Sequence, residues 1–399
     1  QSQTPASLGF TGVTPQNPAI EFAPKVGVTG YFTLGFSNNG PQPRLDSNYD
    51  YSDNFTKIIG NHNLMLGVHL ERFTVDNPFY ANLAGNFSFN GSGAFSSGDP
   101  LLDFLIGLPG GYSQGTGALI NARAWEYYGY AQDNWKVSDS LTLNYGTGYD
   151  IQTPFSNLQY GGEAVICFQP GVQSKIFPTA QPSLTYPGDR GCNNSGGATA
   201  KHDHFAPRVG FDWSPSSGWG RLTGPAGEHL FALRGGFGLY FNRDSEEAQL
   251  QNLEDPPFGT SSPGITGPGV APSFANPFVD VGNPSISIPN PFPYTFPHAG
   301  QTNIDFSQFA PYGLSTISPK YDVPYAYNMM LQIQRQIPGN QVLTVGYVGS
   351  LGHKLVRAYE ANRITPTGHA AAVALCDAMG ASTCLSQYAI YPTLLTPQF

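Results

Sequence analysis

The stretch that decides the fold runs from Trp125 to Ile151 and reads WEYYGYAQDNWKVSDSLTLNYGTGYDI. Its second half alternates with a period of two. One set of alternate positions is mostly apolar or aromatic: Leu141, Leu143, Tyr145, Thr147, Tyr149 and Ile151. The positions between them are small or polar: Thr142, Asn144, Gly146, Gly148 and Asp150. Because successive side chains of a strand point to opposite faces, the pattern predicts a strand with one apolar and one polar face.

Similar alternation recurs along the chain and predicts further strands. The segment 229–242, for example, places Phe231, Leu233 and Phe237 on one face and Arg234 and Gly236 on the other. The predicted strands span residues 26–37, 47–59, 63–74, 124–137, 140–152, 204–214, 229–242, 323–336 and 341–350. Such a series of short two-faced strands predicts an all-β protein.

Short and long connections alternate along much of the chain. The link at 215–228 is on the short side of this pattern, although at 14 residues it is not tight. Tight turns are predicted at 60–62, 138–139 and 337–340, and long connections rich in Gly, Pro and Asn at 75–123, 153–203 and 243–322. Outer-membrane barrels join their strands in this way, by short periplasmic turns and long extracellular loops. The fold class predicted is therefore an antiparallel up-and-down transmembrane β-barrel, of which this chain supplies a part.

Composition agrees with a membrane barrel. Only 11% of the residues are charged while 13% are aromatic, and the mean hydropathy is -0.23. A polar but uncharged, aromatic-rich chain suits strands that face lipid on one side and water on the other. No stretch approaches the ~18–20 apolar residues of a membrane helix. The formal net charge of -9 argues against a nucleic-acid partner.

Three regions are predicted. Residues 1–25 form an irregular N-terminal segment, residues 26–350 a partial barrel with its three long loops, and residues 351–399 a loop or C-terminal segment. Nine strands are an odd number and too few for a large barrel. The chain also starts at Gln1 without Met or a signal segment. We therefore expect it to be part of a longer or processed protein.

Three segments of the chain resemble Oar-like TonB-dependent outer-membrane transporters. The first is the deciding stretch, in which an aromatic-rich strand ends in Gln-Asp-Asn-Trp135 and is followed by Leu-Thr-Leu-Asn-Tyr-Gly146. The second joins Phe205-Ala-Pro-Arg-Val-Gly-Phe-Asp-Trp213 to Leu233-Arg-Gly-Gly-Phe-Gly-Leu-Tyr240. The third joins Tyr327-Asn-Met-Met-Leu-Gln-Ile-Gln-Arg-Gln336 to Val345-Gly-Tyr-Val-Gly-Ser-Leu-Gly-His-Lys354.

This resemblance implies outer-membrane localisation and TonB-dependent uptake of a nutrient such as a peptide or glycan. The implied partners are outer-membrane lipid, a small-molecule, peptide or glycan ligand, and the TonB system. Members of the family also carry a plug domain and a barrel of about 22 strands. Neither the plug nor the C-terminal strands are visible in this sequence, so contact with TonB would come from regions outside it.

Four groups of residues are candidates for a site or a cross-link. Cys167 with Cys192 and Cys376 with Cys384 are predicted to form two disulfides; the alternative is four free thiols. His202 and His204 have the i, i+2 spacing of a small metal site, although an ordinary segment at the barrel rim has the same spacing. Four charged residues are predicted to face the lumen: Arg208, Arg234, Asp150 and Asp212. They would form a charge ladder or contact an anionic substrate.

The sequence leaves two functional hypotheses open. The first is a transport component of the outer membrane. The second is a secreted or surface-displayed structural or adhesive β protein, because low charge, aromatics and paired cysteines also suit an extracellular assembly. No catalytic motif and no cofactor motif is predicted, and the chain lacks a recognisable pair of catalytic carboxylates.

Overall fold

A computed structural model describes residues 4–17, 22–35, 40, 42–80, 82–216, 229–243, 255–309, 314–318 and 320–358. Its strands, in chain order, are β1 Lys25–Val28, β2 Phe32–Leu34, β3 Leu45–Ile59, β4 His62–Phe79, β5 Asn86–Phe89, β6 Gly111–Gly115, β7 Ala118–Ser138, β8 Leu141–Gln152, β9 Ser156–Asn157, β10 Cys167–Phe168, β11 Leu184–Thr185, β12 His204–Trp213, β13 Phe231–Phe241, β14 Ser261–Ser262, β15 Tyr325–Ile337 and β16 Gln341–His353. One α-helix, α1, spans Pro100–Ile106. No helix in the described ranges is both long and apolar enough to cross a membrane.

The long strands form one antiparallel sheet in the order β16-β15-β13-β12-β8-β7-β4-β3, and β9 pairs with β7 beside it. Each long strand therefore lies next to its neighbour in sequence. In the described part of the chain the sheet is open, with β3 and β16 at its two edges. This up-and-down topology confirms the predicted fold class.

Eight of the nine predicted barrel strands lie in this sheet at nearly the predicted positions. The predicted strand 26–37 does not. Its residues form the short hairpin β1–β2, which belongs to a second sheet of order β14-β6-β5-β1-β2. There, β1 pairs in parallel with β5. The prediction of a barrel strand at 26–37 was therefore wrong, because alternation identifies a strand but not the sheet that it joins.

The two ends of the large sheet differ. At one end, the turn end, residues 60–61, 139–140 and 338–340 connect the strands tightly. Left-handed backbone at Gly60 (φ 58°) and Asn340 (φ 54°) helps the chain to reverse there. At the opposite end, the loop end, residues 80–117, 153–203 and 242–324 form the long connections.

The two faces of the large sheet also differ, and we call them the apolar face and the polar face. The apolar face carries exposed side chains such as Leu66, Val209, Leu331, Val345 and Tyr347, which are 49–63% exposed. Alternate positions on the same strands form the polar face, which includes Asn63, His69, Gln132, Asn134, Asn144, Arg208, Arg234, Gln332 and Gln334. Exposed apolar surface on this scale is typical of strands that contact lipid.

Aromatic side chains mark both margins of the apolar face. Trp125 stacks on Tyr127 toward the loop end, and Trp135 stacks on His62 toward the turn end. The ten residue-to-residue steps from Trp125 to Trp135 extend about 33 Å along the strand, which a tilt of about 40° reduces to about 25 Å in height. That height equals the apolar band of an outer-membrane barrel, which is bounded by aromatic girdles.

A folded loop layer is built at the loop end from the described residues of 4–35 and of the long connections 80–117, 153–203 and 242–324. One of its cores joins Val13 and Val28 to Phe87 and Phe278. A second core joins Phe177 and Tyr186 of the middle connection to the last one. Its other buried members are Ala164, Ile166, Ala180, Leu184, Phe258, Phe306 and Phe309. The N-terminal segment and all three connections thus take part in the two cores of this layer.

Helix α1 belongs to the loop layer and is capped at its first turn. The Asp99 side chain caps the helix by accepting hydrogen bonds from the backbone N–H groups of Leu101 and Leu102. Pro100 occupies the first turn, where its missing N–H costs nothing. Phe104 packs its ring against Phe89 and neighbouring rings of the first core, so the helix is fixed to the loop layer.

Candidate functional site

The polar face of the large sheet holds the four charged side chains predicted to face the lumen, and the pairing register decides which of them meet. Asp212 on β12 lies directly opposite Arg234 on β13. Its Oδ2 accepts a hydrogen bond from Arg234 Nε at 2.7 Å, and Arg234 Nη1 donates to Gln334 Oε1 at 2.6 Å. Two of the four predicted lumenal charges thus form an ion pair, and Arg234 extends this contact to Gln334 on a third strand. We call this pair the Asp212–Arg234 step.

Arg208 has a different environment. Its guanidinium lies over the Tyr240 ring at 4.5 Å from the centroid and near the Tyr128 ring at 5.9 Å. Within the described ranges, no carboxylate forms an ion pair with it. Its Nε is shielded from solvent and has no hydrogen-bond partner there. A cation held between aromatic rings and lacking an anionic partner is suited to receive an anionic group.

Asp150, the fourth predicted charge, is 4% exposed. One carboxylate oxygen accepts a hydrogen bond from Gln152 Nε2 at 2.7 Å, and the other has no hydrogen-bond partner in the described structure. The register places Asp150 beside Tyr128 on β7 and His204 on β12. It therefore takes no part in the Asp212–Arg234 step.

A row of carboxylates crosses the polar face near its loop end. This row was not predicted from the sequence. Asp50 on β3 lies opposite Glu71 on β4, which lies opposite Glu126 on β7. His69 precedes Glu71 by two residues on the same face, and its Nε2 lies 3.5 Å from Asp50 Oδ2 and 3.6 Å from Glu71 Oε2. The i, i+2 spacing of His69 and Glu71 is visible in the sequence, but Asp50 joins them only through the register between β3 and β4.

Arg243 forms an ion pair with Glu126, the last carboxylate of this row. Its guanidinium lies 3.4 Å from Glu126 Oε2 and donates to the backbone carbonyls of Trp125 at 2.7 Å and Thr153 at 3.0 Å. It also lies 4.5 Å from the centroid of the Phe73 ring. One side chain of the last long connection is thereby anchored onto the polar face.

The predicted histidine pair separates in the structure. His204 is buried, stacks on Phe241 at 4.3 Å and places Nε2 3.1 Å from Asp322 Oδ1. His202 is exposed, and its backbone carbonyl accepts a hydrogen bond from the Tyr149 hydroxyl. No third ligand gathers around the pair within the described ranges, and metal binding by His202 and His204 stays a prediction.

His204 instead belongs to a clasp at the loop end that joins three elements. Asp322, just before β15, accepts a hydrogen bond from Lys354, just after β16, and contacts His204 on β12. Burial acts to raise the pKa of the Asp322 carboxyl, but the bonds from Lys354 and His204 outweigh it and hold that pKa below its usual value. The bond to Asp322 raises the pKa of the Lys354 amine.

The cysteines give one observed cross-link. Cys167 and Cys192 form a disulfide in the middle long connection, beside the β10–β11 pair. Cys376 and Cys384 lie outside the described residues, so the second predicted pair stays a prediction.

Comparison with known proteins gives one family. The model of a family described as outer membrane beta barrel domain matches residues 1–396. No curated protein matches the chain significantly. Among solved structures, the chain is similar to the outer membrane transporter YddB from Escherichia coli, with 10% identity and a TM-score of 0.39. That similarity covers 82% of this chain and 29% of the transporter, so the chain spans less than a third of the transporter's length.

Proposed function

The chain belongs to the outer membrane beta barrel domain family, and on this premise we propose that it is the receptor-barrel part of a TonB-dependent transporter. Its localisation is the outer membrane. The proposed cargo is a nutrient of the peptide or glycan class that carries an anionic group. The loop layer would capture this cargo outside the cell, and the polar face would line its path.

The observation that carries this proposal is the polar face around Arg208. A barrel that only anchored a surface assembly would need its interior charges neutralised, as Asp212 neutralises Arg234. Arg208 instead lies between two tyrosine rings with no described carboxylate partner. Planar guanidinium groups bind carboxylates in a bidentate manner, so a peptide C-terminus or an acidic sugar fits this position.

The loop layer supports capture from outside. Its two cores bury aromatic side chains from every long connection, and Arg243 anchors it onto the polar face. Such a layer covers the outer end of the polar face with folded structure. Coupling to TonB rests on the resemblance of the strand motifs alone and would use a plug and a periplasmic segment outside this sequence.

Uptake measurements test the proposal. Cells lacking the gene would be complemented with wild type, Arg208→Gln or Arg190→Gln, the last being an exposed arginine of the loop layer that serves as control. Fluorescent tripeptides and acidic oligosaccharides would be supplied, with and without a proton uncoupler. We expect that deletion of the gene, or addition of the uncoupler, abolishes uptake of one probe class. Arg208→Gln should reduce this uptake several-fold, whereas Arg190→Gln should leave it unchanged. Equal uptake of every probe with and without the gene would refute transport of these classes.

One observation favours the alternative hypothesis of a surface assembly. On β3, Asp53 and Lys57 lie opposite Val68 and Leu64, so both charged residues share the apolar face. Charged side chains on a lipid-facing surface are costly near the bilayer midplane. Cell fractionation distinguishes the two hypotheses, because a transporter partitions with the outer membrane whereas a secreted assembly is recovered from the medium.

A further inference from the structure

Asp50, His69 and Glu71 form a compact group on the polar face at the β3–β4 pair. The register places Asp50 directly opposite Glu71, and His69 lies two positions along β4 on the same face. One ligand atom from each residue lies within 4.8 Å of the other two. The group thus offers one imidazole nitrogen and two carboxylate oxygens around a common point.

The charges of this group are not balanced. Like charges that lie directly opposite each other on neighbouring strands are destabilising, and Asp50, Glu71 and Glu126 occupy three such positions in a row. Glu126 has Arg243 as its partner. Within the described ranges, the only ion-pair contacts of Asp50 and Glu71 are with His69. A single imidazole cannot neutralise two carboxylates.

The separations of the two carboxylate oxygens from His69 Nε2 fit a bound cation. Nitrogen and oxygen ligands lie about 2.0–2.2 Å from Zn²⁺, so two ligands of a tetrahedral ion are separated by about 3.4 Å. The measured separations from His69 Nε2 are 3.5 Å to Asp50 Oδ2 and 3.6 Å to Glu71 Oε2. A mixed set of one imidazole and two carboxylates suits divalent first-row cations and keeps positions open for water.

From this geometry we propose that Asp50, His69 and Glu71 bind a divalent transition-metal cation, with Zn²⁺ as the representative ion. The cation neutralises the facing carboxylates and ties β3 to β4 near the loop end. Ions can reach the site, because the Asp50 side chain is 54% exposed and the His69 side chain 31% exposed. This inference rests on the described contacts and not on the proposed transport activity.

Calorimetric titration of the full-length protein in detergent tests the site. After treatment with a chelator, the protein would be titrated with ZnCl₂, and with CoCl₂ while the visible absorption of Co²⁺ is recorded. We expect one ion per chain and a Co²⁺ spectrum of low coordination number. Loss of a ligand should weaken binding at least about tenfold, so we expect this in His69→Gln and in Glu71→Gln.

Two control variants separate this site from adventitious binding. Asp53→Asn removes a carboxylate from the opposite face of β3, and His298→Gln removes a histidine near Glu163 in the loop layer. Both should leave the affinity unchanged. Heat-modifiable migration on gels would verify that every variant is a folded barrel. Absence of binding, or equal affinity in wild type, His69→Gln and Glu71→Gln, would overturn the proposal and leave the group as a histidine in contact with two carboxylates.

Discussion

At the residue scale, small side chains on the polar face make room for large ones on the next strand. A Cβ atom added at Gly148 of β8 would lie 2.5 Å from the Tyr128 hydroxyl oxygen and 2.6 Å from its ring. A Cβ added at Gly67 of β4 would lie 2.2 Å from the Tyr130 ring. These glycines are therefore required by packing against tyrosine rings of β7, as expected where a strand glycine lets a neighbour approach closely.

Replacement of Gly148 by alanine should therefore destabilise the barrel. The added methyl group overlaps the Tyr128 ring and forces it to move, which costs about 1–3 kcal/mol in the free energy of unfolding. Urea unfolding of the protein in lipid vesicles measures this cost. Gly236→Ala is the matched control on the same face, because its nearest neighbour would lie 3.6 Å away. Equal losses in both variants would contradict the packing argument.

The clasp of His204, Asp322 and Lys354 gives stability a dependence on pH. The folded pKa of Asp322 is lowered, so its contribution is present above the unfolded value of about 3.9 and is lost as pH falls through the folded value. The folded pKa of Lys354 is raised, so its contribution is present below about 10.4 and is lost as pH rises through the folded value.

The clasp should therefore stabilise the loop end most between about pH 4 and pH 10. Asp322→Asn should lower the thermal unfolding temperature within this window and flatten the fall of stability on the acid side. Thermal unfolding of wild type and variant at a series of pH values measures both effects. Parallel pH profiles for the two proteins would show that Asp322 makes no such contribution.

At the scale of elements, the disulfide between Cys167 and Cys192 fixes the middle connection of the loop layer. It closes a loop with a sequence separation of 25 residues, and loop closure of this size stabilises by about 3 kcal/mol. Beside it, Asp189 accepts hydrogen bonds from the Ser174 hydroxyl and the Lys175 backbone. The β10–β11 pair contributes only two residues on each strand, so the covalent bond adds a constraint to a segment that is otherwise held by its buried core.

Cys192→Ser should loosen residues 153–203 without affecting the large sheet. We expect protease added to intact cells to cut this connection in the variant and in wild type treated with a reductant. The mobility shift of the folded barrel on gels should not change. Resistance of the variant equal to that of oxidised wild type would show that the aromatic core around Phe177 holds the connection unaided.

Most of the long strands could be predicted from the sequence, but the sheet that a strand joins and the register between strands could not. Period-two alternation located β8 and β13 closely, because lipid on one side and water on the other impose it on every barrel strand. It misplaced residues 26–37, since a strand in the loop layer alternates in the same way. The group of Asp50, His69 and Glu71 could not be predicted from alternation either, because Asp50 becomes a neighbour of His69 and Glu71 only through the register of β3 on β4. The sequence shows no spacing that encodes this register.

At the scale of the whole molecule, the two faces of one sheet account for localisation and proposed function together. The apolar face has the height and the aromatic margins of a membrane-spanning band. The polar face carries Arg208, the Asp212–Arg234 step and the proposed cation site. The loop layer lies at one end only, as expected for a protein whose two ends meet different compartments.

Localisation and proposed function both depend on the assignment of the two faces, and spin labels on adjacent residues of β15 can distinguish lipid from water at each face. Leu331→Cys and Gln332→Cys would be labelled in the full-length protein, reconstituted in lipid vesicles, with unmutated protein as the labelling control. Collisions of each label with oxygen, which enriches in lipid, and with a water-soluble nickel chelate would be measured. We predict that oxygen dominates at residue 331 and the chelate at residue 332. Equal exposure of both labels to the chelate, or the reverse order, would contradict the assignment of the apolar face to lipid and the polar face to the barrel interior.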